Sequence, residues 1–220
     1  MYKRQDLKEA DLHELDQVST DLDLSEKQLD SGIIKIPGYQ AFLLDSQVDD
    51  EGKSASFVDY VNDVKIVDPK RYEVPERLKT VLRPYQVEGF QWLSTLWDKG
   101  FGGILADEMG LGKSVQLLSL IEARKGNGPS LIVCPASLVL NWQEECQKFT
   151  PQLSCVAVDG DATHRAELAK QWAEADLVVT SYDLMRRDEE LYSGQQFYAC
   201  ILDEAQAIKN HTTQKYKAVS

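Results

Sequence analysis

The sequence predicts an α/β domain in which a parallel β-sheet is flanked by helices. Three observations support this prediction. From residue 78 onward, short apolar runs alternate with helical periodicity, a glycine-rich turn separates one run from a helix, and two carboxylates directly follow another run. Alternation of this kind is typical of parallel strands, because helices cover both faces of such a sheet. We therefore place a domain boundary near residue 78, between an accessory segment at 1–77 and the α/β domain at 78–220.

The accessory segment is expected to be a small α+β unit. Residues 5–30 are acidic with scattered leucines, which indicates one or two surface helices. Ile33–Ile36 and Tyr39–Leu44 flank the dipeptide Pro37-Gly38, and apolar runs on either side of such a turn favour a short hairpin. Two further elements are expected before the boundary, namely a helix at Ser56–Val64 and a linker at Val67–Pro75.

The helices of the α/β domain are predicted from their starts and their apolar faces. Pro84 suits the first turn of a helix, where its missing N–H would have no partner. Ser137 is expected to cap another helix through its hydroxyl. The predicted inner faces are Tyr85, Gly89, Trp92, Leu93 and Leu96 on the first helix, and Leu138, Trp142, Cys146 and Phe149 on the second. Further helices are expected at 113–124, 163–174 and 183–190, and strands at 102–106, 131–134, 155–158, 177–180 and 198–202.

Composition argues against several functional classes. The chain of 220 residues carries 24 basic and 36 acidic residues, a formal net charge of −12. Free-standing nucleic-acid-binding domains are usually basic, so any DNA contact is expected from a local patch or from other parts of a longer protein. The four cysteines show no C-x-x-C pairing and the three histidines lie far apart, which argues against structural zinc and indicates reduced cysteines. No run approaches the roughly 18 apolar residues of a membrane helix, so we expect a cytoplasmic protein with no membrane partner.

A glycine-rich turn before a helix is the strongest chemical signal in the chain. This phosphate loop reads Asp107-Glu108-Met109-Gly110-Leu111-Gly112-Lys113-Ser114. Such a turn aims backbone N–H groups at phosphates, and the N-terminus of the following helix adds partial positive charge. Gly110 and Gly112 allow the backbone to approach the phosphates closely. Lys113 is placed for the β- and γ-phosphates and Ser114 for Mg²⁺, so the pattern predicts ATP and Mg²⁺ as ligands.

The match to the general phosphate-binding pattern is incomplete. The pattern G-x-x-x-x-G-K-[ST] requires glycine at the position that Asp107 occupies. Taken alone, the segment is also compatible with an ordinary strand-to-helix turn that carries an exposed lysine. A second motif is needed to decide between these interpretations.

That second motif is acidic. The apolar run Ala199–Leu202 ends in Asp203-Glu204-Ala205-Gln206. A nucleotide-bound Mg²⁺ is held at the carboxyl end of a buried strand in α/β sheets. Asp203 would bind the metal through water, and Glu204 would polarise the attacking water as general base. Together with the loop, this motif favours Lys113, Asp203 and Glu204 as catalytic residues of ATP hydrolysis.

Five motifs in order carry a family resemblance. They are Leu82-Arg83-Pro84-Tyr85-Gln86, the run from Gly103 to Lys113, the run from Cys134 to Trp142, Val179-Thr180-Ser181-Tyr182-Asp183, and Asp203-Glu204-Ala205-Gln206. With them the chain resembles the Swi/Snf-type ATPases of helicase superfamily two, and more closely the bacterial members. In that family an acidic residue normally stands at the position of Asp107, which supports the phosphate-binding interpretation. The resemblance covers 78–220, and 1–77 resembles more loosely the end of the accessory domain before the bacterial motor.

The resemblance implies a RecA-like P-loop lobe and roles for further residues. Gln86 would read the adenine edge, and Arg83 would help to shape the pocket. The residues implied in contacts with the DNA backbone are Asn141, Ser181 and Lys209, and backbone contacts suit a motor that moves along any sequence. For Asn141 and Ser181 the alternative is a local cap or backbone hydrogen bond, and for Lys209 it is a solvated surface position.

The implied motor requires two RecA-like lobes, with arginines of the second lobe on the γ-phosphate of ATP. The sequence ends at Ser220, soon after the acidic motif. We therefore expect an incomplete first lobe that binds nucleotide weakly and does not turn it over appreciably. Its implied partners are a second lobe, double-stranded DNA and a DNA-bound protein, in the nucleoid region of a bacterial cytoplasm.

Two other functions stay open from the sequence. One is a different superfamily-two enzyme, such as an RNA helicase of the DEAD-box kind. Such enzymes lack the run Met109-Gly110-Leu111-Gly112 and carry a different adenine motif. The other is a non-catalytic nucleotide-binding module that keeps the fold without turnover, although the retained lysine and carboxylates argue against decay of the site.

Overall fold

A computed structural model describes residues 40–48, 52–65, 71–210 and 212–219. The predicted helices at 5–30 and the hairpin residues Ile33–Ile36 and Pro37-Gly38 lie outside these ranges. The first of two compact units comprises the described residues up to Arg71 together with Gln91–Ile104, and the second comprises Tyr72–Phe90 and the described residues from Leu105 onward. The predicted division at residue 78 stays a prediction. None of the helices in the described ranges has both the length and the apolar character that crossing a bilayer requires.

The regular elements described in the first unit are helices. Helix α1 is Ala41–Gln47 and helix α2 is Ala55–Lys65, and the second of these agrees with the predicted helix at 56–64. The predicted strand at Tyr39–Leu44 is wrong, because α1 occupies most of it. Packing explains the difference: the ring of Phe42 lies 5.2 Å from that of Phe101, a long-range contact that local alternation of apolar residues does not reveal.

Helix α3, Pro84–Asp98, begins at the predicted proline. Its buried positions include Gln86, Phe90, Leu93 and Ser94, which follow the i, i+4, i+7, i+8 spacing of one helical face. The predicted inner face is wrong at Tyr85, which is 36% exposed. Phe90, the most buried aromatic residue of the helix at 1% exposure, sets the face instead.

The second unit is built on a four-stranded sheet of order β2-β3-β1-β4, and every described strand pair is parallel. The predicted parallel α/β fold is therefore confirmed. The strands are β1 Ser130–Cys134, β2 Cys155–Ala157, β3 Leu177–Ser181 and β4 Ala199–Leu202. The helices are α4 Lys113–Ala123, α5 Val139–Phe149, α6 Ala162–Ala169, α7 Tyr182–Arg187, α8 Glu189–Ser193 and α9 Gln214–Lys217.

Side chains that alternate along β1 and β3 form the cores on the two faces of the sheet. The core on one face includes Ile132 and Val179 together with Leu118 of α4 and Trp142 of α5. The core on the other face includes Leu131, Val133, Val178, Trp172 and Tyr192. Because both faces of β1 and β3 are covered, these strands are buried throughout. Their carboxyl ends lie at one edge of the sheet with that of β4.

The predicted strand at 102–106 is wrong. The segment has no regular structure, and Ile104 is 85% exposed. Among the described strands, β4 pairs on one side only, with β1. Two adjacent glycines, Gly102 and Gly103, give the segment low β-propensity, so it forms a strand only where a neighbouring strand supplies a ladder.

Predicted helix boundaries also differ at three places. The helix expected at 163–174 ends at Ala169, and a separate 3₁₀ turn, Trp172–Glu174, follows it. Ser137 does not cap α5, because it is exposed and lies inside a 3₁₀ turn at Ala136–Leu138 that Pro135 begins. The predicted helix at 183–190 is two helices, α7 and α8, separated at Asp188. The carboxylate of Asp188 accepts a hydrogen bond of 2.9 Å from the buried Arg165 guanidinium. This ion pair fixes the chain between the two helices, which local periodicity does not show.

Candidate functional site

The phosphate loop, Asp107–Ser114, curls into the N-terminus of α4. Gly110 and Gly112 have φ angles of 85° and 74°, a left-handed backbone that favours glycine. A Cβ atom at Gly112 would lie 2.5 Å from Nε2 of Gln86, so glycine is also required there for space. Lys113 is the first residue of α4, directly after this left-handed turn. The local sequence thus produces the curled backbone that the phosphate-binding pattern predicts.

The ammonium group of Lys113 lies inside the loop. Its Nζ donates to the carbonyl oxygen of Asp107 at 2.8 Å and to that of Glu108 at 3.2 Å. Phosphate oxygens are acceptors of the same kind and carry more charge, so they can replace these carbonyls. The loop therefore presents a cation surrounded by oxygen acceptors, next to the partial positive charge of a helix N-terminus.

Asp107, the residue that departs from the general pattern, anchors the loop to α4. Its Oδ2 accepts a hydrogen bond of 2.9 Å from Nε2 of Gln116. Gln116 is fully buried, and a Cβ atom at Gly89 would clash with its Oε1. Sequence reasoning missed Gln116, although a polar residue within the apolar run of α4 was the available signal.

The start of α3 holds the other side of the loop. Gln86 accepts a hydrogen bond of 2.9 Å from the backbone N–H of Arg83 through Oε1. Its Nε2 donates to the carbonyl oxygen of Leu111 at 2.9 Å, and the Tyr85 hydroxyl donates to the same oxygen at 3.0 Å. The two side chains therefore fix the turn between the two loop glycines.

A cavity of about 230 Å³ lies between the phosphate loop and the start of α3. Its lining includes four predicted site residues, Arg83, Gln86, Gly110 and Gly112, while Lys113 and Ser114 lie outside it. The remaining lining residues are Val81, Tyr85, Val115, Glu145 and Phe149. Glu145 and Phe149 come from α5, and local sequence patterns do not predict that this helix reaches the cavity.

The acidic motif, Asp203–Gln206, directly follows β4. The backbone N–H of Asp203 donates to Val133 at 2.9 Å and continues the ladder between β1 and β4. The carboxylate accepts two hydrogen bonds of 2.9 Å, from the Trp142 indole N–H at Oδ2 and from the backbone N–H of Glu204 at Oδ1. The Tyr182 hydroxyl donates to the carbonyl oxygen of Asp203 at 2.9 Å. Partners from three elements thus fix the position of this residue.

Glu204 has a left-handed backbone with φ 51° and ψ 49°. It is the one non-glycine residue with positive φ in the described part of the chain. Such a conformation costs about 1–3 kcal/mol and persists where the surroundings enforce it. The Glu204 carboxylate accepts a hydrogen bond from the Gln206 side chain, and the Glu204 backbone N–H donates to the Asp203 carboxylate. The turn therefore orients both carboxylates of the motif.

The groups around Asp203 stay protonated at neutral pH. Burial, and to a smaller extent the charge of Asp203, raises the pKa of the Tyr182 hydroxyl to about 12. The same two causes raise the pKa of the Cys134 thiol to about 12. Tyr182 is therefore a stable hydrogen-bond donor to the acidic motif across the physiological range.

The three residues implied in DNA contacts lie in different surroundings. Asn141 is exposed near the start of α5, and Lys209 is exposed just after the acidic motif. Ser181 is buried, and its Oγ accepts a hydrogen bond of 3.2 Å from the backbone N–H of Leu184. The hydroxyl of Ser181 thus caps α7, which is the alternative that the sequence left open.

The residues present fit a nucleoside triphosphate with Mg²⁺. The glycine turn excludes side chains where a phosphate chain would lie, and Lys113 supplies the cation. Across 71–210 and the shorter described ranges, no group of three or more His, Cys, Asp or Glu residues could hold a metal alone. Mg²⁺ bound mainly by phosphates and water needs only one or two protein oxygens, such as those of Ser114 and Asp203. Neither Lys113 nor Ser114 is hydrogen-bonded to Asp203 or Glu204 in the described structure.

Comparison with protein families matches two regions of the chain. Residues 85–220 match the SNF2-related domain. Residues 5–75 match the bacterial SNF2 helicase-associated region. The two matches together account for most of the chain.

Individual relatives are longer proteins. The chain is 37% identical over 199 residues to the TATA-binding protein-associated factor mot1 of Aspergillus fumigatus, which covers 83% of the chain and 10% of the relative. It is 38% identical over 172 residues to helicase SWR1 of Candida albicans, covering 74% of the chain and 10% of that protein. It is 39% identical over 159 residues to the chromatin-remodeling ATPase INO80 of Schizosaccharomyces pombe, covering 66% and 10%. The chain thus spans about a tenth of the length of these relatives.

Solved structures agree with these matches. The Sulfolobus solfataricus SWI2/SNF2 ATPase core in complex with dsDNA superposes with a TM-score of 0.60 at 37% identity, covering 67% of this chain and 31% of that one. The core domain of the same organism gives a TM-score of 0.52 at 36% identity, covering 69% and 30%. The parallel sheet and its flanking helices therefore correspond to a lobe of such a core.

Proposed function

Because the chain belongs to the SNF2-related domain family, with a bacterial SNF2-associated region before it, we propose that it is the ATP-binding part of a motor that moves along double-stranded DNA. The observation that carries the proposal is the left-handed glycine turn around Lys113, beside the cavity that Arg83 and Gln86 line. A turn of this shape at the start of a helix binds phosphates. Because residues 85–220 match the SNF2-related domain, we propose this function in place of an RNA helicase of the DEAD-box kind.

Nucleotide binding would begin with an exchange of partners at Lys113. Its ammonium group leaves the carbonyl oxygens of Asp107 and Glu108 and takes phosphate oxygens instead. The backbone N–H groups around Gly110 and Gly112 donate to the same phosphates. Gln86 and Arg83 line the cavity that would take the adenine.

The acidic motif would act on the metal and the attacking water. The Ser114 hydroxyl and the Asp203 carboxylate would hold Mg²⁺, which neutralises negative charge on the phosphates. Glu204 would accept a proton from water as general base, and the left-handed turn sets the direction of its carboxylate. Lys113, Asp203 and Glu204 are thus the proposed catalytic residues.

Turnover would require a second lobe. Phosphoryl transfer of this type uses an arginine that stabilises charge on the γ-phosphate and accelerates the reaction roughly 10³–10⁵-fold. In the proposed motor this arginine belongs to the second RecA-like lobe. The 220 residues alone should therefore bind ATP weakly without appreciable hydrolysis.

The DNA side of the motor is proposed at the exposed residues near the acidic motif. Asn141 and Lys209 would contact the phosphate backbone, and Ser181 would support this surface through its cap on α7. A Sulfolobus solfataricus relative was solved with dsDNA, which supports duplex DNA as the track. The target would be a protein bound to DNA, and the bacterial region at 5–75 supports a place at the nucleoid.

Binding of a fluorescent ATP analogue to the chain tests the nucleotide site. Wild-type chain should bind in the presence of Mg²⁺, and Lys113→Ala should bind much less. The chain joined to a second lobe of the family should hydrolyse ATP faster when duplex DNA is added. Equal binding by Lys113→Ala would show that the assigned loop is not the site, and hydrolysis indifferent to DNA would argue against a translocase.

A further inference from the structure

The indole N–H of Trp142 is directed at the carboxylate that would hold the metal. We propose that Trp142 is a positioning residue that fixes the orientation of the Asp203 carboxylate for Mg²⁺. This inference rests on the proposed function, since it concerns the metal side of the same nucleotide site.

The geometry of Trp142 favours a specific role over packing alone. Trp142 is 3% exposed, and its Nε1 donates to Oδ2 of Asp203 at 2.9 Å. Trp172, which is fully buried on the other face of the sheet, has an indole N–H with no hydrogen-bond partner among the residues that the structure describes. The second unit thus contains one tryptophan that packs without using its donor and another whose donor meets a carboxylate.

Hydrogen bonds to both carboxylate oxygens fix the orientation of the Asp203 side chain. Oδ1 accepts from the Glu204 N–H and Oδ2 from Trp142, so the carboxylate plane has one donor on each oxygen. Tyr182 holds the carbonyl oxygen of the same residue at 2.9 Å. A carboxylate oxygen has two acceptor sites, so each keeps one for a water molecule of the metal. The side chain is therefore oriented before the metal binds.

Orientation of this kind affects metal affinity. Partners that hydrogen-bond a ligating carboxylate fix its direction, and their loss typically weakens metal binding about 10–100-fold. Trp142 contributes in a way that Phe cannot, because Phe fills similar space without a donor. Its effect should therefore appear in the Mg²⁺ dependence of nucleotide binding and not in binding without metal.

Trp142→Phe and Trp172→Phe form a matched pair for the test. Both keep an aromatic ring in a buried site, but only the first removes a hydrogen bond to Asp203. Binding of a fluorescent ATP analogue to the 220-residue chain is measured against Mg²⁺ concentration, and again in EDTA. We expect Trp142→Phe to raise the Mg²⁺ concentration at half-maximal binding roughly tenfold. Binding in EDTA should be unchanged, and Trp172→Phe should resemble wild type in both conditions.

The ¹H–¹⁵N indole resonances supply a readout that needs neither metal nor nucleotide. Loss of a peak in Trp142→Phe assigns the Trp142 resonance. That resonance should move in Asp203→Ala, which removes the acceptor, while the Trp172 resonance should stay in place. If the chemical shift of the Trp142 resonance is unchanged in Asp203→Ala, the proposal is overturned.

The titration outcomes separate the proposal from its premise. An unchanged Mg²⁺ dependence in Trp142→Phe overturns the positioning role and leaves the nucleotide site intact. An equal loss in Mg²⁺ and in EDTA also overturns it, because that pattern indicates packing. If wild-type chain binds no nucleotide with Mg²⁺, the proposed function fails first and the positioning role fails with it.

Discussion

The phosphate loop and the acidic motif are the two halves of one proposed site, and they are held in different ways. The loop follows a segment without regular structure in which Ile104 is 85% exposed, and Met109 within the loop is 91% exposed. The acidic motif continues a ladder with β1 and is bonded by side chains of two other elements. The loop combines local turn chemistry with two hydrogen bonds from the start of α3, whereas the motif is held by the sheet and by side chains of α5 and α7.

This difference assigns different roles to the two halves before a ligand binds. Lys113 is bonded to carbonyl oxygens of its own loop, and phosphates must displace these contacts. Asp203 needs no rearrangement, because its carboxylate is already oriented from both sides. In the proposed site, the loop would meet the flexible phosphate chain, and the already oriented Asp203 would meet the metal, whose coordination geometry is strict.

The largest expected difference is in the free energy of unfolding, between a substitution in the sheet and one in the segment before the loop. Ile132→Ala in β1 removes a fully buried side chain and should lower the free energy of unfolding by about 2–5 kcal/mol, because a cavity remains. Ile104→Ala removes the same atoms from an exposed position and should change it by less than about 0.5 kcal/mol. Denaturant unfolding of both variants measures the contrast. Equal losses would show that the segment before the loop is packed as firmly as β1.

A smaller effect tests the loop itself. Lys113→Ala should weaken binding of an ATP analogue about 10–100-fold, since hydrogen bonds to charged groups contribute about 1.5–3 kcal/mol. Lys170→Ala, an exposed lysine on the turn after α6, serves as the charge-matched control and should bind as wild type. Fluorescence titration with Mg²⁺ present measures both. A loss shared by the two variants would point to net charge and not to the loop.

The adenine side should give a still smaller effect. Gln86→Ala removes the hydrogen bond to the Leu111 carbonyl and the proposed contact to the base. ATP binding should weaken about five- to tenfold, as for the loss of one or two neutral hydrogen bonds, with less change for GTP. Competition between the two nucleotides measures the preference, and the exposed Glu88→Ala on the same helix is the control. An unaltered preference would place the base elsewhere.

The smallest effect belongs to the DNA side, beside the fixed half of the site. Lys209→Ala should weaken duplex binding uniformly across sequences and reduce the salt slope by about one, as expected for one lost phosphate contact. Lys170→Ala carries the same charge change away from this surface. Fluorescence anisotropy at several salt concentrations gives both slopes. Identical slopes for the two variants would remove Lys209 from the DNA surface.

The sequence predicted those features that depend on local patterns. The strands β1 to β4, helix α4 and the glycine turn were anticipated, because apolar runs and turn residues act over a few positions. The prediction of a strand at 102–106 was wrong, because a strand also needs a neighbouring strand that local sequence does not show. The hydrogen bond between Trp142 and Asp203 joins residues 61 positions apart. Trp142 was expected on an inner face, but periodicity does not identify the acceptor of its N–H.

The strand order has a consequence for synthesis on the ribosome. The central strand β1 precedes both of its neighbours, β3 and β4, along the chain. While the chain emerges from its N-terminus, α4 and β1 are available before either partner, and the apolar residues of β1 lack cover. Pairings between distant segments are slow to form and leave hydrophobic surface exposed meanwhile. The acidic motif emerges directly after β4, so of the two proposed halves of the site it is the one that forms later during synthesis.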